Sequence, residues 1–329
     1  MSKEKKEVVQ KLKQDQFSLD GKTYTMPCVI EDLAEELYHG PELVAQEFIG
    51  HSGLAKLVMK TPAHFKEYIK NDNSGRTPAM IFGSAAHLMM LDKKWAEKIA
   101  VCQITKRDGS IMDYWSAAAQ TWRDKAIESK KVEAAILKKE MIQLTEMKNE
   151  LLKHPTARGL LNNGKSEVSI FFLHPRYEGV KCKIRVDYLI HDSLLAFVDY
   201  KTTQDASHVQ FAKSAYDFGY DIQAELYREG GQIIYGKKPN FFFIAQEKEP
   251  PYAVNVFLGN EWGEDLKENE YIYAPDSTFT ELGRKRTNKA LEIYWKCLLN
   301  PQLFNAAYGA NFEILYPPHW ALNEWDIRE

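Results

Sequence analysis

Three acids and a lysine gather in one part of this chain. Asp187 lies in the apolar run Lys183-Ile184-Arg185-Val186-Asp187-Tyr188-Leu189-Ile190. Asp199 and Lys201 close a second run, Leu194-Leu195-Ala196-Phe197-Val198-Asp199-Tyr200-Lys201-Thr202-Thr203. The polar His191-Asp192-Ser193 between them reads as the turn of a hairpin. With that turn centred on 192–193, Asp187 falls nearly opposite Asp199, and their side chains come within roughly 5 Å if they share a face. Lys201 is two residues beyond Asp199 and shares its face. Upstream, Glu167 opens the strand-like Glu167-Val168-Ser169-Ile170-Phe171-Phe172-Leu173 and reaches the level of Val186 and Asp187. Its face depends on register.

Like charges this close are costly without a cation. A hard divalent ion such as Mg²⁺ takes oxygen ligands and keeps several waters. It can acidify one water and neutralise charge on a phosphodiester. Lys201 then has a role in holding the attacking water or stabilising the phosphorane charge. The plainer alternative is a set of surface ion pairs on an antiparallel sheet, because two acids and a lysine at this spacing have many chance matches.

Other elements must position these residues. Met80-Ile81-Phe82-Gly83-Ser84-Ala85-Ala86-His87-Leu88-Met89-Met90-Leu91 reads as a largely buried helix. A lone histidine in such a helix is ordinarily a satisfied core residue, and a ligand role for His87 is the alternative. Residues 220–235 read as a helix closed by Gly236. On it Gln223 and Tyr227, at i and i+4, project from one face. They could bind phosphate oxygens or stack on a terminal base, or simply belong to an amphipathic helix.

The chain has 329 residues, 44% of them apolar and 27% charged, with a formal net charge of −3. That suits a globular chain with a sizeable core, and a nucleic-acid partner would need a local basic groove. No apolar run approaches the ~20 residues of a membrane span, and the charged start Met1-Ser2-Lys3-Glu4-Lys5-Lys6 lacks a signal-peptide core. A cytoplasmic protein is expected. Cys28, Cys102, Cys182 and Cys297 are far apart, so independent thiols are expected rather than a cluster or zinc site. Residues 1–20 read as a frayed helix or arm, 30–38 and 51–59 as helical, and 61–65 as the start of another helix. Residues 111–152 read as the most helical region, its charges most simply a solvated face, with a subunit contact or a DNA-facing arm as the alternative. After the strands at 167–173, 181–190 and 194–201, Asp205 is expected to cap a helix running toward Tyr216. Strands at 240–245 and 253–257 and a helix at 278–299 follow. That last helix carries the basic run Arg284-Lys285-Arg286. Pro317-Pro318-His319-Trp320 reads as coil packed on the core.

The order Gly83-x-x-x-His87, Glu167, Asp187, Asp199-x-Lys201, Gln223-x-x-x-Tyr227 resembles the RecB-type branch of the PD-(D/E)XK nucleases. More narrowly it resembles exodeoxyribonuclease VIII and its phage relatives. Further matching stretches are Phe82 to Leu88, Cys182 to Asp187, Val198 to Thr203, Tyr216 to Tyr227 and Val254 to Phe257, with a weaker match at Pro317 to Ala321. Residues 50–325 carry the likeness. Val186 stands where the motif name has proline, and Asp199 is the shorter of its two allowed acids.

The resemblance implies an α/β fold with a central mixed sheet flanked by helices. It implies one nuclease domain at 50–329 after an N-terminal arm and helical segment at 1–49. Within that domain, a helical insertion is expected at about 111–155, a catalytic core at about 165–260 and a C-terminal helix and tail at 261–329. It implies metal ligation by His87, Asp187, Asp199 and the Tyr200 carbonyl, with Glu167 a second or water-mediated ligand. Lys201 would serve the nucleophilic water, and Gln223 and Tyr227 would brace the site and DNA. The expected activity is Mg²⁺-dependent, with Mn²⁺ as a substitute, and 5′→3′ on double-stranded DNA ends, leaving 3′ single strands for recombination. A homo-oligomeric ring and a single-strand annealing partner are also implied. Two alternatives remain: a nuclease acting on single strands or endonucleolytically, and a catalytically silent DNA-binding scaffold.

Overall fold

In the computed structural model the described residues are 15–70, 77–112, 114–129, 132–192, 194–260 and 279–309. The first 14 residues, residues 71–76 of the expected polar loop, Ser193 of the central turn and the tail around Pro317 lie outside them. Strands β1 (Gln16–Leu19) and β2 (Lys22–Thr25) pair as a hairpin. Then come β3 (Cys28–Ile30), the one-turn helices α1 (Glu35–Tyr38) and α2 (Pro41–Ala45), and β4 (Phe48–Ile49). Helices α3 (His51–Met59), α4 (Pro62–Lys70), α5 (Pro78–Leu91) and α6 (Trp95–Lys98) follow, then β5 (Ile99–Cys102), α7 (Ala117–Glu128), β6 (Ala134–Leu137), α8 (Lys138–Lys153) and α9 (Pro155–Leu160). The meander β7 (Lys165–Leu173), β8 (Lys181–His191) and β9 (Leu195–Thr203) leads to α10 (His208–Phe218), α11 (Tyr220–Tyr235), β10 (Asn240–Glu247), β11 (Val254–Leu258) and α12 (Phe279–Leu299).

Among the described residues the main sheet has seven strands in the order β11-β10-β9-β8-β7-β3, with β4 added beside β8. It is mixed, because β10 runs parallel to β9 while β7, β8 and β9 alternate in direction. Alternating side chains feed two cores. Ile170, Phe172, Ile184, Phe197, Phe241 and Phe243 pack with α3, α4, α11 and α12 on one face. Ala196, Val198, Tyr200, Phe242 and Ile244 pack with α5 and α8 on the other. The result is a helix–sheet–helix sandwich. A third cluster joins Phe17, Leu19, Leu33, Tyr38, Leu43 and Phe48 to Phe171 of β7. No described helix is long and apolar enough to cross a membrane.

Several expectations need correction. Residues 16–19 are strand rather than frayed helix or arm, with Phe17 and Leu19 buried on one face. The local alternation outweighs the polar composition around it. Of residues 30–38 only Glu35–Tyr38 is helical, and β3 hydrogen-bonds to β7. Two strands from the expected arm and helical segment, β3 and β4, therefore belong to the main sheet. The helical region is broken by β6, whose four residues Ala134-Ala135-Ile136-Leu137 are all buried and pair in parallel with β5. A short apolar run buried on both sides has no period that separates strand from helix. Asp205 accepts a hydrogen bond from the Ser207 N–H at 2.7 Å, and Ser207 occupies the cap position of α10.

Helix α11 lies close against the sheet through Gly230 and Gly231. A Cβ on Gly231 would come within 2.2 Å of Pro239 Cγ, and one on Gly230 within 2.7 Å of Ile184 Cδ1. Alanine normally gains about 1 kcal/mol over glycine in a helix, but overpacking of this kind costs about 1–3 kcal/mol. Gly231→Ala is therefore expected to destabilise the protein, seen as a lower urea midpoint in equilibrium unfolding.

Candidate active site

The site forms where the regular sheet fails. Register pairs Ser166 with Tyr188 and Val168 with Val186, so Glu167 and Asp187 face each other between them without pairing. Glu167 has φ 57°, in the left-handed region that costs a non-glycine residue about 1–2 kcal/mol. Side-chain alternation slips here as well. Cys182, Ile184 and Val186 enter the first core, then Tyr188 enters the second and Leu189 the first. On the other side, β8 and β9 pair only from His191↔Leu195 to Tyr188↔Val198. The next position would place Asp187 against Asp199. There the strands part, and the Tyr200 N–H donates to Asp187 Oδ2 at 3.0 Å.

Helix α5 brings the third group. Thr77 caps it by accepting from the Met80 N–H at 3.2 Å, and Pro78 starts it. His87 Nδ1 then lies 3.3 Å from Asp187 Oδ2. One ligand atom each from His87, Glu167 and Asp187 lies within 4.8 Å of the others. Around an octahedral Mg²⁺, ligand atoms at 2.0–2.1 Å are about 3–4 Å apart, so closure by about an ångström or less makes these donors fit. An imidazole beside two carboxylates suits Mn²⁺ as well as Mg²⁺.

Asp199 has different neighbours. It is buried, accepts from Gln223 Nε2 at 2.5 Å through Oδ1, and meets Lys201 Nζ at 2.7 Å through Oδ2. Lys201 also lies over the Tyr220 ring, 4.8 Å from its centre. The structure thus joins Asp199, Lys201 and Gln223 in one group and His87, Glu167 and Asp187 in another. Tyr200 meets the second through its N–H, and its hydroxyl donates to Gln246 Oε1 at 2.7 Å on the far face. Tyr227 OH is 3.5 Å from His51 Nδ1 at the start of α3.

Burial pushes the Asp187 carboxyl up to about 7; Glu167 adds to this and Lys201 opposes it. Burial likewise raises Asp199 to about 6, with Asp187 adding and Lys201 opposing. Burial would lower Lys201, but Asp199 and Asp187 outweigh it and hold its pKa above the ordinary lysine range. Lys201 is therefore an ammonium. Burial, then Lys201, holds His87 below its usual value, so its imidazole is neutral and ready to ligate.

Arg185, His51 and Tyr220 were not expected at the site. Arg185 Nε donates to Glu167 Oε2. His51 lines a cavity with Lys183, Lys201, Gln223 and Tyr227, and burial, then Lys201 and His39, pushes it down to about 3. The i−2 spacing of Arg185 from Asp187 was the only advance signal. In the run Arg284-Lys285-Arg286, Arg286 is turned inward, with Nη1 2.8 Å from the buried Asp221 Oδ1. Arg284 and Lys285 pair with Glu281.

A family model described as "PDDEXK-like domain of unknown function (DUF3799)" matches residues 51–298. Among solved structures, the chain is similar to a crystal structure named "Putative exonuclease" from Eubacterium rectale. The two share 15% identity at a TM-score of 0.50, over 90% of this chain and 98% of that one, which is a likeness of fold. No curated protein matches the chain.

Raised carboxylate pKa values make a signed prediction. Asp187 and Asp199 favour the folded, cation-free protein most when protonated, below the ordinary Asp value near 4. That contribution is lost as pH rises through about 6–7. A divalent cation binds the ionised form. Thermal melts should therefore show the cation-free protein losing stability from pH 5 to 8. The rise in Tm on adding Mn²⁺ should be larger at pH 8 than at pH 5.5.

Proposed function

The chain belongs to the PDDEXK-like domain family (DUF3799), and from that membership we propose that it hydrolyses DNA phosphodiester bonds with a divalent cation. The observation that carries the reading is the convergence of His87, Glu167 and Asp187 beside the Asp199–Lys201–Gln223 group. At an effective dielectric of about 20, two carboxylates within 4.8 Å repel by at least roughly 3 kcal/mol, a cost that a bound cation reverses. A cation held by His87, Glu167 and Asp187, with Asp199 and the Tyr200 carbonyl completing its shell, would acidify a water and neutralise the phosphodiester.

The chain's own residues do the rest. Lys201 Nζ, charged and oriented by Asp199 and Tyr220, orients the attacking water and then faces the extra negative charge of the phosphorane. Gln223 fixes the Asp199 carboxylate from the opposite side. Tyr227 and His51 line the adjoining cavity, where Lys183 and Lys201 supply positive charge for the substrate backbone.

The finer reading is a Mg²⁺-dependent 5′→3′ exonuclease on double-stranded ends that leaves 3′ single strands for recombination. It includes a homo-oligomeric ring and a single-strand annealing partner. The motif order and the exonuclease name of the E. rectale protein of similar fold support it. Linear duplex DNA labelled separately at each 5′ and 3′ terminus, digested with and without Mg²⁺, tests it. Early release of the 5′ label is expected, with closed circles left intact; cutting of circles would sink the exonuclease claim. Asp199→Ala and Lys201→Ala should each lower kcat by at least about 100-fold while DNA binding in Ca²⁺ persists.

A further inference from the structure

Tyr38 sits outside the family-matched residues 51–298, yet it is bound to the strand that carries Asp187. Lys183 and Arg185 leave β8 on one face, two residues apart, and both flank the Tyr38 ring, at 4.8 and 5.7 Å from its centre. Each is also tied to the same segment's backbone. Lys183 Nζ donates to the Tyr38 carbonyl at 2.6 Å, and Arg185 Nη1 to the Leu33 carbonyl at 2.7 Å. Tyr38 is 6% exposed, packed among Leu33, Leu43, Phe48 and Phe171. Its neighbours Glu35 and His39 line the cavity that holds His87, Glu167 and Asp187.

This tether limits how Arg185 meets Glu167, because it removes the end-on fork of Nη1 and Nη2. A free guanidinium takes a carboxylate by two parallel hydrogen bonds, occupying both oxygens. Here Nη1 is held by the Leu33 carbonyl, and Cζ lies over the Tyr38 ring. Only Nε reaches Glu167, at Oε2. The pairing steadies, at Oε2, a carboxylate carried on left-handed backbone.

We propose that residues 33–39, anchored by Tyr38, are a working part of the catalytic site: they position Arg185, and through it the Glu167 carboxylate, for cation binding. This rests on the reading of His87, Glu167 and Asp187 as a cation site. Tyr38 is a positioning residue, with no contact to the reacting atoms.

Calorimetric titration of the full chain with Mn²⁺ tests the proposal apart from activity, with circular dichroism melts of the cation-free proteins to establish folding. Tyr38→Phe retains the ring and should bind Mn²⁺ within about twofold of wild type. Tyr38→Leu keeps bulk but loses the cation–π surface, and Arg185→Lys cannot span Glu167 and Leu33 together. Each should weaken Mn²⁺ binding roughly tenfold or more, as loss of partners behind a ligand does. Folded Tyr38→Leu and Arg185→Lys proteins with wild-type affinity would overturn the proposal. If Tyr38→Leu does not fold, Arg185→Lys decides it. Wild-type protein that binds no Mn²⁺ would overturn the cation site itself, and this inference with it. Unchanged variants beside a binding wild type would overturn the inference alone.

Discussion

Two carboxylates and an imidazole within 4.8 Å of one another constrain everything around them. Burial makes the two charges harder to carry, and their repulsion adds to that cost. The protein sets compensating charge at measured places rather than neutralising the site outright. Arg185 takes one oxygen of Glu167, and the Tyr200 N–H takes one oxygen of Asp187. Lys201 is set against Asp199, one strand over. What is left is an open negative pocket with a fixed ammonium beside it. That pattern suits a cation on one side and an anionic phosphodiester on the other.

The arrangement depends on a local break in an otherwise regular sheet. With unbroken alternation, β7 and β8 would pair Glu167 with Asp187 as an ordinary cross-strand couple. The left-handed turn at Glu167 and the slip at Asp187 take both acids out of the ladder. The parting of β8 and β9 then opens a wedge into which α11 sends Gln223 and Tyr227 and α3 sends His51. Helix α5 closes the other side with His87. Each layer of the sandwich thus supplies part of one site, so the core packing that fixes the layers also fixes the distances.

Much of this is legible along the chain. The meander of β7, β8 and β9 follows from apolar runs bounded by turn residues, and α5 and α11 from their lengths and caps. The i, i+4 spacing of Gln223 and Tyr227 does put both toward the wedge. The strand at Phe17 and Leu19 and the four-residue β6 are not legible in this way, because short segments take their structure from the strand they pair with. The place of β3 and β4 in the main sheet has no local marker either. β3 and β4 join the sheet through hydrogen bonds to residues more than a hundred positions away.

The sequence by itself supplied the acids, the lysine and the histidine that the proposed chemistry needs. Two acids and a lysine at the ends of apolar runs have many chance matches taken alone, and it is their order with His87, Gln223 and Tyr227 that narrows the use. Only the tertiary structure decided how they divide. It set His87, Glu167 and Asp187 together, tied Asp199 to Lys201 and Gln223, and fastened Arg185 to Leu33 and Tyr38. The reason is geometric. Residue type and spacing specify a face and a level on a strand, but a single left-handed residue and a one-residue slip change which groups meet. Those are fixed by the packing of both layers at once.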